Sequence, residues 1–444
     1  MNRIIHKKIK ENFKVIKRCC VKTPSGVAVL ASFRRSRYPY VYPRDAAGVS
    51  RALKFMALHR GFEKEALDLL KNVAKFTVHL QSKEGCWGQR YSITGIDKSI
   101  YAQEDNIAHG IIIIGNYLTT AHTLNKKVKD KKKFIESMIN GMDYALKNYY
   151  NPNKKLFFST SSIHQASNET GFTVWTNFSY FSALSLLEEV LIKEKKEELH
   201  LKYGIFKKTF GKTLREKFIK DGMFVHRITI SGEYDVCPDI TRLSAFYFVY
   251  RGLEGVIQKT MKYLIKNLWD NQLGLLMRYP CRVDDISFHN HGGCGVFPGY
   301  SAIYARYLFR IGKIKEGDAI LRKIESYKTK ESYIPEHVST IKQFNNFIEQ
   351  EWETGLDFQK EFDKTILLPK VNFDNIAEEL YNMKRTYDKI RRSLKYKKGK
   401  GRKFIRFAVP HTWAHAEYIL ALLQKERGSY TINWVEPKDK KSKN

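Results

Sequence analysis

Three acidic side chains in polar loops are the residues of this chain best suited to chemistry. Asp105 lies in YAQEDNIAHG, Glu169 in SNETGF and Glu336 in YIPEHVS. A pair of carboxyl groups can hydrolyse a glycosidic bond, because one protonates the leaving oxygen while the other activates water or attacks the sugar carbon. Glu169 and Glu336 come from well-separated loops, as such a pair often does. Taken singly, each carboxylate is also compatible with a helix cap or a surface residue.

A second candidate is the segment YPYVYPRDAAGVSRAL, in which tyrosines at residues 38–42 lead into Pro43, Arg44 and Asp45. The guanidinium and the carboxylate could grip neighbouring hydroxyls of a sugar while the tyrosines stack on its apolar ring face. Asp45 is also well placed to cap the helix that follows, with Arg44 as its ion-pair partner. Both interpretations stay open at this point.

These residues lie in loops that alternate with pairs of helical segments over most of the chain. Few strands are predicted, and the loops are rich in Trp, Arg, Asp, Glu and His. The predicted helices include Thr241–Tyr250 and Glu254–Leu268. Trp87 and Trp175 are expected to be pocket-wall or core aromatics. Since sites are built on loops gathered at one end of a rigid scaffold, the sequence predicts an all-α toroid of helical hairpins with inner and outer rings and a pocket at one end. An α-solenoid is the alternative, but no fixed repeat of about 34–45 residues is visible.

The composition limits the classes of partner. The chain has 444 residues and a formal net charge of +32, from 78 Lys and Arg against 46 Asp and Glu. Such an excess can indicate nucleic acid or another anionic surface. The basic residues are spread along the whole chain, with local runs at Lys126–Lys133 and Lys384–Arg406, and no nucleic-acid module accompanies them. We therefore expect a solvated basic surface and no nucleic-acid partner.

Cysteine usage and hydropathy suggest a soluble, cytoplasmic protein without a metal. The six cysteines form no C-x-x-C pair, so a zinc knuckle is not indicated and reduced thiols are expected. His289 and His291 would need a third ligand to bind a metal. The N-terminal residues lack an apolar segment of signal-peptide length, and the longest aliphatic run, Ile111–Ile114, is far too short to span a membrane. No cofactor is expected, and the oligomeric state stays open.

Five motifs, in the same order, resemble glycoside hydrolase family 15, which holds glucoamylases, glucodextranases and some trehalases. They are YVYPRDA, GCWGQRYSITG followed by AQED, GLLMRYP, IPEH and PHTWAHAEYILALL, and they extend from about Val27 to Leu423. YPRDA and PHTWAHAEY are the more distinctive. The resemblance implies an (α/α)6 barrel and an inverting mechanism that uses two glutamates.

The first motifs correspond to the family's sugar-binding segments. Tyr42, Arg44 and Asp45 match the segment that binds the terminal sugar in subsite −1. Gln103 and Asp105 match the family's Q-x-D. The resemblance thus implies that these five residues bind the substrate.

The later motifs complete the implied site. Arg278 in LMRY matches a sugar-binding arginine, and Glu336 in IPEH matches the general base. Trp413 and His415 match the W-S/A-H-A motif that closes the pocket, where Ala414 replaces the commoner Ser. The resemblance assigns no cofactor to this chemistry.

The chain departs from the family pattern at the general acid, which normally lies in a W-E-E segment. The corresponding loop reads IHQASNETGFTVWTN, and its sole carboxylate is Glu169, two residues before Gly171 and with no Trp before it. Glu169 is the predicted acid. If the true counterpart is Gln165, Ser167 or Asn168, the acid is lost.

A second departure is the link between Glu336 and Trp413, which spans 413 − 336 = 77 residues. Relatives have a much shorter link, so residues 341–405 are predicted to be an insertion, with a role as a lid, as an oligomer contact or with no role. The predicted domain layout is a basic arm at 1–24, the barrel with its insertion at 25–430, and a basic tail at 431–444.

These observations together predict an inverting, exo-acting α-glucosidase of glucoamylase type that releases glucose from α-linked gluco-oligosaccharides. A trehalase or another α-glucoside hydrolase is the nearest alternative. A carbohydrate-binding or regulatory protein without catalysis, on the same barrel, is the alternative from a different class. The expected partner is an α-glucan or oligosaccharide.

Overall fold

The computed structural model describes residues 3–34, 36, 38–59, 61–100, 102–163, 170–248, 250–279, 295–349, 373–396 and 404–427. Within these residues 14 α-helices account for most of the regular structure. The helices are α1 (Arg3–Arg18), α2 (Pro43–Ala57), α3 (Glu63–Leu80), α4 (Asp105–Thr123), α5 (Lys131–Asn148), α6 (Val174–Lys193), α7 (Glu197–Lys217), α8 (Ser244–Tyr247), α9 (Glu254–Leu268), α10 (Pro298–Arg310), α11 (Ile314–Ser326), α12 (Ile341–Phe347), α13 (Phe373–Tyr396) and α14 (Thr412–Arg427).

The strands are short and lie in the loops, mostly as two-stranded antiparallel pairs. They are β1 (Cys20–Thr23), β2 (Gly26–Val29), β3 (Tyr150–Asn151), β4 (Leu156–Phe157), β5 (Phe172–Thr173), β6 (Ile219–Lys220), β7 (Met223–Phe224), β8 (Arg227–Ile228), β9 (Tyr234–Asp235), β10 (Trp269–Asp270), β11 (Leu275–Leu276), β12 (His337–Ser339) and β13 (Ile405–Phe407). β5, β8 and β9 form a three-stranded sheet.

An inner ring of helices forms the centre of the molecule: α2, α4, α6, α10 and α14, with the short α8 beside α6. Every residue of α2 is buried, and Ile111–Ile114 of α4 is fully enclosed. A helix that is apolar on all sides must be covered on all sides. The apolar run of α4 therefore places that helix inside, whereas α2 is buried together with its charged Arg51 and Lys54.

Amphipathic helices form the outer ring. Each packs against the inner ring: α3 on α2 and α4, α5 on α4, α7 on α6, α11 on α10 and α1 on α14. α9 packs beside the 3-10 turn Ile240–Leu243 that leads into α8. The predicted toroid of helical hairpins is confirmed.

The N-terminal helix α1 is part of this arrangement. Ile9, Phe13 and Ile16 on one face of α1 belong to the main hydrophobic core, while its lysines lie on the other face. α1 is thus an outer helix whose basic residues face the solvent.

Two local predictions differ from the structure. α2 begins at Pro43, with Tyr42 at the N-cap position, so Asp45 lies inside the first turn and the prediction that it caps the helix is wrong. Proline is favoured at the first helical position because its missing N–H would have no partner there. The predicted helix Thr241–Tyr250 is divided into the 3-10 turn and α8, whereas Glu254–Leu268 has the predicted bounds.

The predicted insertion has a small apolar cluster of its own, separate from the main core. Phe344, Tyr387 and Ile405 of the insertion belong to it together with Phe407, and β12 pairs with β13 beside it. α13 then contacts the barrel: the Tyr40 hydroxyl donates to Glu378 Oε1 over 2.7 Å, and Asn375 Nδ2 donates to the Ser99 carbonyl over 3.0 Å. The insertion thus contacts the loops that precede α2 and α4.

None of the helices in the described ranges is long and apolar enough to cross a membrane. Residues 431–444, predicted to be a basic tail, lie outside those ranges, as do His289 and His291.

Candidate functional site

The first residues of the inner helices meet at one end of the barrel. Arg44, Asp105, Trp175 and Trp413 each occupy the first or second position of their helix. Arg44 Nη1 lies 3.9 Å from Asp105 Oδ2, and the Trp175 and Trp413 rings are 6.3 Å apart edge to face. The inner helices therefore start at the same end, and the candidate residues before them converge there.

Asp105 is the centre of a buried polar network. Its Oδ2 accepts hydrogen bonds from Trp175 Nε1 over 3.1 Å and from His109 Nε2 over 3.3 Å, and it faces Arg44. Burial alone would raise the pKa of Asp105, but the hydrogen bond and charge of His109, the Arg44 guanidinium and the Trp175 N–H together hold it below its usual range. Burial lowers the pKa of His109, and the opposing hydrogen bond and charge of Asp105 do not offset it.

A second pair joins α2 to the loop before α14. His411 Nε2 lies 3.6 Å from Asp45 Oδ1, and both side chains are buried. Burial would lower the pKa of His411, but the hydrogen bond to Asp45 and the negative charges of Glu336 and Asp45 outweigh it and raise the pKa above its usual value. The carboxylates of Asp45 and Glu336 therefore favour the protonated form of His411.

The loop of Glu336 is anchored by backbone hydrogen bonds to the end of β13. The Glu336 N–H donates to the carbonyls of Phe407 and Ala408, both over 3.1 Å. The ring of the next residue, His337, stacks between Phe297 and Phe407 with centroids 5.0 and 4.4 Å away. The Glu336 side chain keeps 16 % of its surface exposed, so the backbone is anchored while part of the side chain stays accessible.

His415 helps to position this loop. Its Nε2 accepts from the Ile334 N–H over 2.9 Å, and its Nδ1 donates to Asn12 Oδ1 over 2.7 Å. Burial holds the pKa of His415 well below its usual value, which agrees with a neutral ring. Protein groups occupy both ring nitrogens of His415, so this side chain links the loop of Glu336 to α1.

The N-terminal end of the segment that contains Glu169 is anchored by two predicted site residues. Gln103 Nε2 donates to the Ser162 carbonyl, and Arg278 Nη2 donates to the Ile163 carbonyl over 2.7 Å. Glu169 and the rest of 164–169 lie outside the described residues. Gln103 and Arg278 are thus brought to the base of the loop that leads to the predicted acid.

Glu104 and Gly171 complete the anchoring. The Thr160 N–H and hydroxyl donate to the Glu104 carboxylate over 2.9 and 2.7 Å, and burial raises the pKa of Glu104 to about 7. Gly171 bridges to Ser159 with φ of +132°, where a side chain would press on the Ile228 carbonyl. Glycine is the residue that adopts this backbone geometry at little cost.

Tyr42 and Trp413, the aromatic residues predicted to belong to the site, are both held by hydrogen bonds. Tyr42 is buried, and its hydroxyl accepts a hydrogen bond from Arg90 Nη1 over 3.3 Å. Trp413 Nε1 donates to the Tyr247 hydroxyl over 3.1 Å and to Glu417 Oε1 over 3.0 Å. These contacts fix the orientation of both rings.

Three residues of this network had no specific role in the sequence interpretation. His411 lies in PHTWAHAEY, where a histidine directly before a helix start was the available signal. His109 is four residues after Asp105, the spacing that places two side chains on one face of a helix. Trp175 was expected only as a wall or core aromatic, and nothing in its local sequence points to Asp105.

The fold is similar to that of solved glycosidases. A structure titled as a wild-type glycosidase shares 15% identity with a TM-score of 0.62, covering 95% of this chain and 97% of that chain. A bacterial glucoamylase complexed with acarbose shares 15% identity with a TM-score of 0.61, covering 95% of this chain and 55% of that chain. A glucoamylase from Saccharomycopsis fibuligera shares 12% identity with a TM-score of 0.61, covering 95% of both chains. At these identities the likeness shows the helical-barrel fold.

No family model matches the chain, and no curated protein matches its sequence. Membership of glycoside hydrolase family 15 therefore stays a prediction that rests on the motifs.

Proposed function

We propose that this protein is a glycoside hydrolase of family 15 type: an inverting, exo-acting α-glucosidase that releases glucose from α-linked gluco-oligosaccharides. The observation that carries the proposal is the convergence of two networks at the starts of the inner helices. One joins Arg44 to Asp105, and the other joins Asp45, His411 and Glu336. The similarity to glucoamylase structures supports the same conclusion at the level of fold.

Arg44 and Asp105 are suited to holding the hydroxyls of a terminal sugar. Arg44 Nη1 and Asp105 Oδ1 are buried and have no hydrogen-bond partner among the described residues. A donor and an acceptor left in this way cost folding free energy unless a ligand pairs with them. Adjacent sugar hydroxyls offer both an oxygen to Arg44 and a proton to Asp105.

The proposed reaction assigns one step to each glutamate. Glu336 takes a proton from water, and the water oxygen forms a bond to the anomeric carbon from the face opposite the leaving group. The bond from that carbon to the glycosidic oxygen breaks, and Glu169 gives its proton to the departing oxygen. Such a mechanism needs carboxyl groups about 6.5–9.5 Å apart, which leaves room for the water.

His411 would support the base. Its imidazolium attracts the carboxylates of Asp45 and Glu336, so the charge that holds the sugar-binding segment also favours an ionised base. The firm backbone anchoring of Glu336 would keep that carboxylate aligned with the water.

A substrate panel tests this proposal. Wild-type protein and Glu169→Gln are assayed for glucose release from maltose, maltotriose, isomaltose and trehalose, and oligosaccharide binding is measured in parallel. Release from maltotriose that the variant loses would support the proposal. Release from trehalose alone would favour the trehalase alternative, and binding without any release would favour a carbohydrate-binding protein.

A further inference from the structure

A cluster of potential metal ligands lies in the segment that follows β7. His226 directly precedes β8, Asp235 is the last residue of β9, and Cys237 follows two residues later. His226 Nδ1 is 3.2 Å from Asp235 Oδ2 and 3.5 Å from Cys237 Sγ, and the three ligand atoms all lie within 4.8 Å of one another. Imidazole, carboxylate and thiolate are the side chains that bind Zn²⁺ in proteins.

The spacing fits the size of a tetrahedral zinc site. Zinc lies about 2.0–2.1 Å from His nitrogen, about 2.0–2.2 Å from carboxylate oxygen and about 2.3 Å from sulfur. Ligand atoms at tetrahedral angles are therefore roughly 3.3–3.6 Å apart. The distances from His226 Nδ1, 3.2 and 3.5 Å, are close to this range. Only the separation of Cys237 Sγ from Asp235 has to shorten, and Cys237 lies in an exposed turn.

The surrounding groups suit bound ligands. His226 Nε2, the other ring nitrogen, is 3.9 Å from Asp239 Oδ2. A carboxylate on the far side of a ligating histidine orients the ring and strengthens the ligand. Asp235 is itself supported, because Arg227 Nε donates to its Oδ2 and the Cys237 N–H donates to its Oδ1, both over 3.0 Å.

The charges also balance when a divalent ion enters. Zn²⁺ binds a cysteine as the thiolate and a histidine as the neutral imidazole, so any proton on these two groups leaves when the ion binds. The ion and Arg227 then carry three positive charges against the carboxylates of Asp235 and Asp239 and the Cys237 thiolate. No net charge is buried by the exchange, which avoids the cost of an unpaired charge.

We propose that His226, Asp235 and Cys237 bind a Zn²⁺ ion, with the fourth position open to water on the exposed side of Cys237. The proposal is independent of the hydrolase activity. The metal would cross-link β8 to the end of β9, and β8 pairs with β5 through Thr173 and Arg227. The ion would therefore also brace β5. No metal was expected from the sequence, because its cysteines form no C-x-x-C pair.

Cobalt binding gives a direct test. The full-length protein is treated with a chelator, exchanged into metal-free buffer and titrated with Co²⁺, and the near-ultraviolet absorption from thiolate-to-cobalt charge transfer is recorded. The proposal expects a band that saturates at one ion per chain and disappears when Zn²⁺ is added. It also expects Zn²⁺ at 100 times its Kd to raise the midpoint of thermal unfolding, since such binding adds about 2.7 kcal/mol.

Two cysteine variants locate the ion. Cys237→Ser removes an exposed thiol and should lose both the band and the thermal shift, whereas Cys86→Ser, at a half-buried thiol elsewhere, should keep both. A His226→Asn variant provides a second check on the same ligands. A wild-type protein without the band, or a band that survives Cys237→Ser, would overturn the proposal.

Discussion

The indole Nε1 of Trp175 lies 3.1 Å from Oδ2 of Asp105, so the start of α6 orients a carboxylate at the start of α4. His109, one turn further along α4, holds the same oxygen. Asp105 thus has one oxygen fixed by protein donors and the other, Oδ1, without a partner in the described part of the chain. Side chains locked in this way hold a binding geometry precise enough for catalysis.

Replacing Asp105 with Asn tests whether this carboxylate binds substrate. The change removes the negative charge that faces Arg44. It also places an amide group, which can itself donate, beside side chains that donate to this position. Because hydrogen bonds to charged groups contribute about 1.5–3 kcal/mol, kcat/KM should fall roughly 10- to 150-fold. Steady-state kinetics with maltotriose measure this change in kcat/KM. Asp68→Asn, at an exposed position of α3, is the control and should match wild type. Equal kinetics for both variants would separate Asp105 from the substrate.

Much of the fold could be predicted from the sequence because the helices have strong local signals. The run Ile111–Ile114 is apolar on every side and had to be buried, and Pro43 and Pro298 begin two inner helices. The bounds of Glu254–Leu268 were predicted correctly. Where the local signal was weaker, as at Thr241–Tyr250, tertiary packing divided the predicted helix.

The site was harder to predict because its contacts join residues far apart in the chain. The Arg51 and Arg306 guanidiniums share Glu417 over 2.6 and 3.3 Å in the barrel core, and no local pattern links these three residues. The same holds for the contact of Trp175 with Asp105. Motifs selected the loops, but only the assembled barrel shows which side chain in each loop faces which partner.

Gly48 provides a test of packing beneath the candidate site. A Cβ on Gly48 would overlap the Trp413 ring and lie 2.7 Å from its Nε1. Forcing extra volume into a packed core costs about 1–3 kcal/mol, so Gly48→Ala should lower the free energy of unfolding by that amount. Gly255→Ala is the matched control, since its Cβ meets no atom within 4 Å and alanine should stabilise α9 by about 0.4–1 kcal/mol. Urea unfolding measures both. Equal effects would contradict the packing described for Trp413.

The charge on His411 predicts a definite pH dependence of stability. Its folded-state pKa is raised above the ordinary value of about 6.5 by Asp45 and Glu336 against the opposing effects of burial and Arg44. A raised pKa means that the stabilisation is fully present below about 6.5 and is lost as the pH rises through the folded-state pKa. The difference in unfolding free energy between wild type and His411→Gln should therefore shrink as the pH rises. A difference that grows with pH would contradict the assignment.

Glu336→Gln tests the proposed base. The amide keeps the shape of the side chain but cannot accept a proton, so kcat should fall by at least ~10²-fold. Oligosaccharide affinity should change little, because the sugar contacts proposed for Arg44 and Asp105 stay in place. Glu331→Gln, exposed in the same loop, is the control and should retain wild-type turnover. Turnover near wild type in Glu336→Gln would remove Glu336 from this role.

The anomeric form of the first product tests the account most directly. Proton NMR spectra recorded during the first minutes of maltotriose hydrolysis distinguish newly released β-glucose from α-glucose before mutarotation mixes them. Attack by water on the face opposite the leaving group predicts that β-glucose appears first and that α-glucose grows only as mutarotation proceeds. Initial release of α-glucose, or no glucose from a folded protein that binds the oligosaccharide, would contradict the proposed mechanism.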